Sequence, residues 1–259
     1  MRTLIIILIF LFCLLLTLPA KVVYQWLSSN LSIQIAGIDG SIFNGHAQQL
    51  NIPVNKNEQL KLQQINWTFN PLNKIINRKP VKLHFNHSDL KGNIKADVSY
   101  SGKLTVQGSF SQMNVAILNP LLNNLAFLRG SSTKLAIRNF AIDNTQLITA
   151  LDTQLTSDKI HINSVLAQLD LEKIKLSAKL NEQQEIIIQL TDMSEFNAFN
   201  IQFTLKQQAN YLQILNSSGY ILDKSQLAKQ LKDFLPLFAK KQAKQWQIQY
   251  NFSNMRISL

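Results

Sequence analysis

From about residue 30 onward, apolar and polar side chains alternate with a period of two. The clearest runs are Val81, Leu83, Phe85; Ile94, Ala96, Val98, Tyr100; Leu104, Val106, then Phe110 after Gly108. Later come Ile174, Leu176, Ala178, Leu180; Ile186, Ile188, Leu190; Phe199, Ile201, Phe203, Leu205; and Trp246, Ile248, Tyr250, Phe252. This period puts successive side chains on opposite faces, so each run reads as a strand with one face in a core and one in water. The whole predicts a mainly β fold built on an antiparallel sheet. Asn55-Lys56-Asn57, Ser101-Gly102-Lys103, Asn181-Glu182-Gln183 and Ser217-Ser218-Gly219 lie between such runs and predict hairpin turns. Between Leu60, Leu62 and Ile65, Trp67, Phe69 the apolar parity switches, which predicts a bulge at Gln63-Gln64. A strongly curved sheet follows, as a trough, a sandwich or an open barrel.

Two short helices interrupt the strands. Asn119 before Pro120 predicts a helix start, Leu121, Leu122, Leu125 and Leu128 supply an apolar face, and Gly130 closes the end. A second helix starts near Asp223 or Ser225 and runs through Leu227, Leu231, Phe234, Leu235 and Phe238. Lys224, Lys229, Lys232, Lys240 and Lys241 surround that stripe, and Pro236 predicts a kink or a break into two short helices. Each half of the chain closes its strands near a helix, a faint sign of duplication. No boundary stands out within residues 28–259, which read as one β-rich domain.

The amino-terminal segment has another character. Leu4 to Leu18 is apolar except for Thr17 and is flanked by Arg2 and Lys21. Fifteen residues reach about 22 Å, short of a hydrocarbon core of roughly 30 Å, so the run suits a signal peptide. It also suits a transmembrane anchor if the helix continues through Val22, Val23, Tyr24, Trp26 and Leu27, with Lys21 snorkelling and both aromatics at the interface. Leu18-Pro19-Ala20 offers only one of the two small residues that cleavage needs, which favours an uncleaved anchor over residues 1–27. Cys13 follows Phe10-Leu11-Phe12, a poor lipoprotein signal, and reads as a packed or lipid-facing thiol. The remaining chain is exported.

The chain has 259 residues, 46% hydrophobic, with 26 Lys and Arg against 15 Asp and Glu. That apolar share suffices for a core and argues against disorder. The single cysteine excludes an intramolecular disulfide framework. A formal charge of +11 points to anionic partners, yet the basic residues are scattered, whereas nucleic-acid binders gather them; no nucleic acid is expected.

The search for chemistry returns little. His46, His84, His87 and His161 are scattered, and His84 and His87 point to opposite faces of one strand, so no metal site is expected. Asp170 and Glu172 share a strand face as a general acid and base might, and Glu182 and Glu185 form a second pair. No apolar surroundings raise a pKa at either pair, and solvated strand or turn positions are the better reading. No catalytic residue or cofactor is expected; there is no nucleophile elbow, phosphate loop or zinc-protease helix. Triplets such as Asn30-Leu31-Ser32 and Asn66-Trp67-Thr68 are expected by chance in so Asn-rich a chain.

One segment carries a resemblance. Gly37 to Ala47 reads G-I-D-G-S-I-F-N-G-H-A, and Leu62 to Leu72 reads L-Q-Q-I-N-W-T-F-N-P-L. This order resembles the N protein of the bacterial type II (general) secretion pathway. Gly37, Gly40, Phe43, Gly45, Ala47, Trp67, Pro71 and Leu72 fall on that family's spaced glycines and on its Trp strand before a Pro-Leu turn. Physically the glycines suit positive φ or close backbone approach at a corner, and Trp67 anchors the sheet. The chain is poorer in Gly than the family pattern, and its last third lacks glycine-marked turns.

The resemblance implies a non-enzymatic accessory subunit. It would be anchored once in the bacterial inner membrane, with residues 28–259 in the periplasm contacting other type II secretion subunits. The competing expectation is an envelope lipid-binding or lipid-transfer protein with an apolar trough. There Lys224, Lys229, Lys232, Lys240 and Lys241, candidate partner contacts in the first reading, would meet anionic lipid.

Overall fold

The computed structural model of the chain describes residues 18–28, 32–54, 58–75, 79–122, 126–130, 133–164, 168–208, 211–251 and 256–258. Most of the expected anchor therefore lies outside the described residues, and among the described residues no helix is long and apolar enough to cross a membrane. The turn at Asn55-Lys56-Asn57 also lies outside them. The chain gathers into two units, residues 1–97 and 98–259.

The first unit opens with helix α1 (Ala20–Leu27), then strands β1 (Gln34–Ala36), β2 (Asp39–Gly40), β3 (Asn44–Pro53) and β4 (Gln59–Phe69). Helix α2 (Leu72–Ile75) leads to β5 (Val81–His87) and β6 (Leu90–Val98). Each of β3 to β6 pairs antiparallel with the strand before it in this series. β1 and β2 share one flank of β3: β1 lies along Gln49 to Asn51 and β2 along Gly45 and His46. Ala47, Ile65, Phe85 and Leu90 are buried, the alternate positions that a half-wet sheet requires.

The expected bend falls where the parity switch placed it, in another form. A bulge sets two residues against one, but β3 and β4 keep one register throughout, with Ala47 opposite Ile65 and Leu50 opposite Leu62. Gln48 and Gln64 between them are unpaired, and Gln64 turns to a left-handed φ of 51°. Both strands therefore exchange faces at once. Gly37, also left-handed at φ 63°, sits opposite Gln48 between β1 and β2, so the irregularity crosses three strands as a crease.

The second unit contains β7 (Leu104–Met113), a 3-10 helix (Val115–Leu122), β8 (Ala126–Arg129), β9 (Thr133–Ile142), β10 (Ile148–Ser164) and β11 (Gln168–Leu180). It continues with β12 (Glu185–Asp192), β13 (Phe199–Gln208), β14 (Tyr211–Leu222), helices α3 (Gln226–Gln230) and α4 (Leu235–Phe238), β15 (Ala239–Gln242), β16 (Gln245–Asn251) and β17 (Arg256–Ser258). Antiparallel pairing runs β7, β9, β10, β11, β12, β13, β14, β16, β15. Ile221 and Leu235 are fully enclosed.

The second unit repeats the crease. β8 and β9 share one flank of β10 as β1 and β2 share β3, with β8 along the later half. Ile160 faces Leu171 and Ser157 faces Ile174, while Asp158 and Lys173 between them are unpaired. Lys173 has φ 50°, matching Gln64. The strand that follows pairs only with the later half of the creased strand in both cases, β5 on β4 and β12 on β11. Strands β1 to β6 and β8 to β13 thus share one six-strand pairing pattern.

Two local expectations are corrected. The helix expected over Pro120 to Gly130 is a 3-10 helix that begins earlier, at Val115, and the chain has returned to a strand by Ala126. Asn119 does not cap it; its amide accepts from Leu128 N at 2.7 Å and donates to Leu128 O at 3.2 Å, standing in for a ladder partner of β8. Ser217-Ser218-Gly219 is no turn but the middle of β14, where Gly219 lets β13 approach. A Cβ there would lie 2.0 Å from Asn200 O. The break into two short helices expected at Pro236 is present between Lys224 and Lys241. Ser225 caps α3 through its side chain, the helix ends at Leu231, Pro236 opens the separate α4, and Lys240 and Lys241 lie on β15.

Candidate docking surfaces

Gly40, Phe43, Gly45 and Trp67 meet at one corner of the first unit, whereas Gly37 sits at the crease against Gln48. Gly40 turns the chain at φ 89°, and Gly45 lies under the indole of Trp67, where a Cβ would sit 2.4 Å from Cζ2 and 2.5 Å from Asp39 O. Trp67 Nε1 donates to Ser41 O at 3.1 Å, and Phe43 stacks on Phe69 with ring centres 5.8 Å apart. Ser41 Oγ accepts from the backbone of Phe43 and Asn44, closing the turn. Ala47 is buried beneath the corner. Pro71 and Leu72 follow β4, where Asn70 Oδ1 accepts from Leu72 N at 3.0 Å and Leu72 itself is exposed.

The same corner holds the root of the amino-terminal segment. Ile42 N donates to Leu18 O at 3.2 Å and Pro19 bridges to Ser41. Tyr24 is part-buried. Its hydroxyl donates to Ile33 O and accepts from Ile35 N at 3.0 Å, tying α1 to β1, while Trp26 is 80% exposed. The sequence gives no spacing that would reveal this grip.

The lysines expected to act together are divided. Lys224, Lys229, Lys232 and Lys240 are exposed. Lys241 is engaged: its Nζ lies 3.0 Å from Asp223 and 5.6 Å over the Trp246 ring, and Trp246 Nε1 donates to the same carboxylate at 2.9 Å. The hydrogen bonds from Lys241 and then Trp246 hold the Asp223 carboxyl below the usual range. This cluster locks the β15–β16 hairpin to the end of β14.

Beside α3 lies a groove of about 460 Å³ floored by Leu171, Phe199 and Leu227 and bordered by Lys173, Lys224 and Glu172. One wall is the loop after β12. Asp192, 4% exposed, accepts from Ser194 N at 2.8 Å, from Ser194 Oγ and from Ala198 N at 2.7 Å, leaving Phe196 at the rim 80% exposed. Burial pushes the Asp192 carboxyl up, but those donors and Lys173 outweigh it and leave it below the usual range. The parity switch from Leu169 and Leu171 to Ile174 was the sequence signal that could have located this place.

Asp170 and Glu172 resolve as cross-strand contacts. Asp170 meets His161 and Glu172 meets Lys159 at 3.4 Å, each with its own ladder partner and all half-exposed. Glu185 is tied to Asn181 within its turn. Among the described residues, no three His, Cys, Asp or Glu side chains come together as metal ligands. What the arrangement offers is apolar packing rimmed by charges of both signs.

Residues 32–248 match the family model for type II secretion system (T2SS), protein N. No curated protein and no solved structure matches the chain. The match takes in the glycine corner, Trp67, both creases and α3, and it covers most of the 259 residues. The chain therefore belongs to the protein N family of the type II secretion system.

Proposed function

We propose that this chain is a non-enzymatic accessory subunit of the type II secretion machine. Residues 1–27 anchor it once in the inner membrane, and residues 28–259 act in the periplasm as one exported portion that contacts other secretion subunits. The family match over residues 32–248 carries this reading. Lys224, Lys229, Lys232 and Lys240, exposed around α3 and α4, and the Phe196-rimmed groove are the proposed contact surface. A chain of charge +11 suits acidic faces on its partners. Gly37, Gly40, Phe43, Gly45, Ala47, Trp67, Pro71 and Leu72 serve structure and touch no substrate.

The lipid-transfer reading is not favoured, because its basic amphipathic helix does not form as one element among the described residues. The test is photo-crosslinking of the full chain in cells from positions 196, 229 and 240, with exposed Lys95 as the control site. Adducts to secretion subunits are expected from the first three. Charge reversal of Lys224, Lys229, Lys232 and Lys240 to Glu should reduce both adducts and exoprotein release. Adducts confined to lipid, or secretion unchanged when the chain is deleted, would overturn the proposal.

A further inference from the structure

We infer that α1 is a membrane-surface strut that lies in the headgroup region through Val22 and Trp26 and is welded to the first sheet on its opposite side. This rests on the proposed anchoring, with Leu4 to Leu18 as the embedded part; a run that short is accommodated by local thinning of the bilayer and by snorkelling of Arg2 and Lys21. The observations come from both faces of the helix. Residues four apart share one face, and Val22 and Trp26 are 53% and 80% exposed there. Tyr24, two positions from each, faces the other way and exchanges hydrogen bonds with the backbone of Ile33 and Ile35. The amino end of the helix is fixed too, by Ile42 N on Leu18 O and by the Pro19–Ser41 bridge.

A phospholipid surface is the occupant that fits the exposed face. Leu18 ends the apolar run, and Trp26 lies only about 9 Å along the helix axis from Ala20. Any bilayer that takes up the run brings its interface to this helix. Trp is the residue best suited to that depth, with an apolar body and one N–H for the headgroups. Lys21 flanks the face without an acidic residue anywhere in α1, the arrangement that attracts anionic lipid. The glycine corner then has a use beyond folding: Ser41 and Ile42, held in place by Trp67, form the socket for the root of the tether. The strut fixes the attitude of the first sheet to the membrane.

The test uses the full chain in vesicles of phosphatidylethanolamine and phosphatidylglycerol, carrying one nitroxide at a time. Native Cys13 supplies one site; in a Cys13→Ser background, Val22→Cys, Trp26→Cys and Lys95→Cys supply the others. Collision with oxygen is compared with collision with a water-soluble nickel chelate. The oxygen preference should be several-fold higher at 22 and 26 than at 95. Tyr24→Phe should leave the label at 13 unchanged while the spectrum at 26 sharpens as the weld loosens. A label at 26 as open to nickel as that at 95, with 13 still in lipid, overturns the strut and leaves the anchor standing. Nickel access at 13 would instead remove the anchor, and the strut with it.

Discussion

At the scale of single residues, Gly45 and Trp67 form a matched pair. Gly45→Ala would set a methyl 2.4 Å from the indole and 2.5 Å from Asp39 O. Overpacking of this kind costs about 1–3 kcal/mol, a fall of roughly 2–4 °C in thermal midpoint per kcal/mol for a chain of this size. Trp67→Phe loses the Ser41 bond, worth about 1 kcal/mol, but removes the ring atoms the methyl strikes. Gly45→Ala should therefore cost clearly less in the Trp67→Phe background than alone. Strict additivity of the two midpoints in detergent would refute the pairing. Much of this corner was legible, because spaced glycines and a strand Trp have few physical uses. Leu18 and Tyr24 were not, since nothing in the pattern couples an apolar run to a backbone turn more than twenty residues later.

Among the elements, the crease governs. Gln64 and Lys173 hold a left-handed backbone that costs an L-residue about 1–2 kcal/mol relative to Gly, while Gly in a strand loses about 0.5–1 kcal/mol. The usual strand preference should invert at these two sites. Gln64→Gly and Lys173→Gly should keep or raise the thermal midpoint, and Gln64→Val and Lys173→Val should lower it. At Lys61, a paired and exposed position of β4, Gly should lower the midpoint and Val should not. The same ordering at all three sites would mean that the crease carries no strain. The sequence marks the first crease by the parity switch at Leu62 to Ile65. The second carries the same kind of switch, from Leu169 and Leu171 to Ile174. β10 leaves no clean alternation in the sequence because, apart from Ser157 and Ile160, its side chains are mostly part-covered. Asn119 and Pro120 resemble a helix start, whereas the Asn side chain is taken up by β8 and the 3-10 helix begins at Val115.

Over the whole molecule, charge and the low carboxylates act together in acid. Asp143, Asp192 and Asp223 all sit below the usual carboxyl range: Asp143 chiefly through Thr145 and Leu147, Asp192 through Ser194 and Ala198 against its burial, Asp223 through Lys241 and Trp246. A group depressed in the folded state stabilises fully above its unfolded value, and that contribution is lost as pH falls from about 4 toward the folded value. Over the same range the 15 acidic side chains neutralise and the charge of +11 grows, so self-repulsion adds to the loss. The thermal midpoint should therefore drop steeply below about pH 4. Asp192→Asn separates the two causes. It leaves the donors of Ser194 and Ala198 poorly matched, which should cost about 1–3 kcal/mol at neutral pH, and it should flatten the acid slope because no titration remains there. Asp192 also holds the loop that carries Phe196, so amide exchange at Ser194 and Ala198, corrected for intrinsic rate, should quicken in acid before the sheet opens. An Asp192→Asn protein whose midpoint follows the parent across that range would assign the acid lability to net charge alone and free the groove from any dependence on this carboxylate.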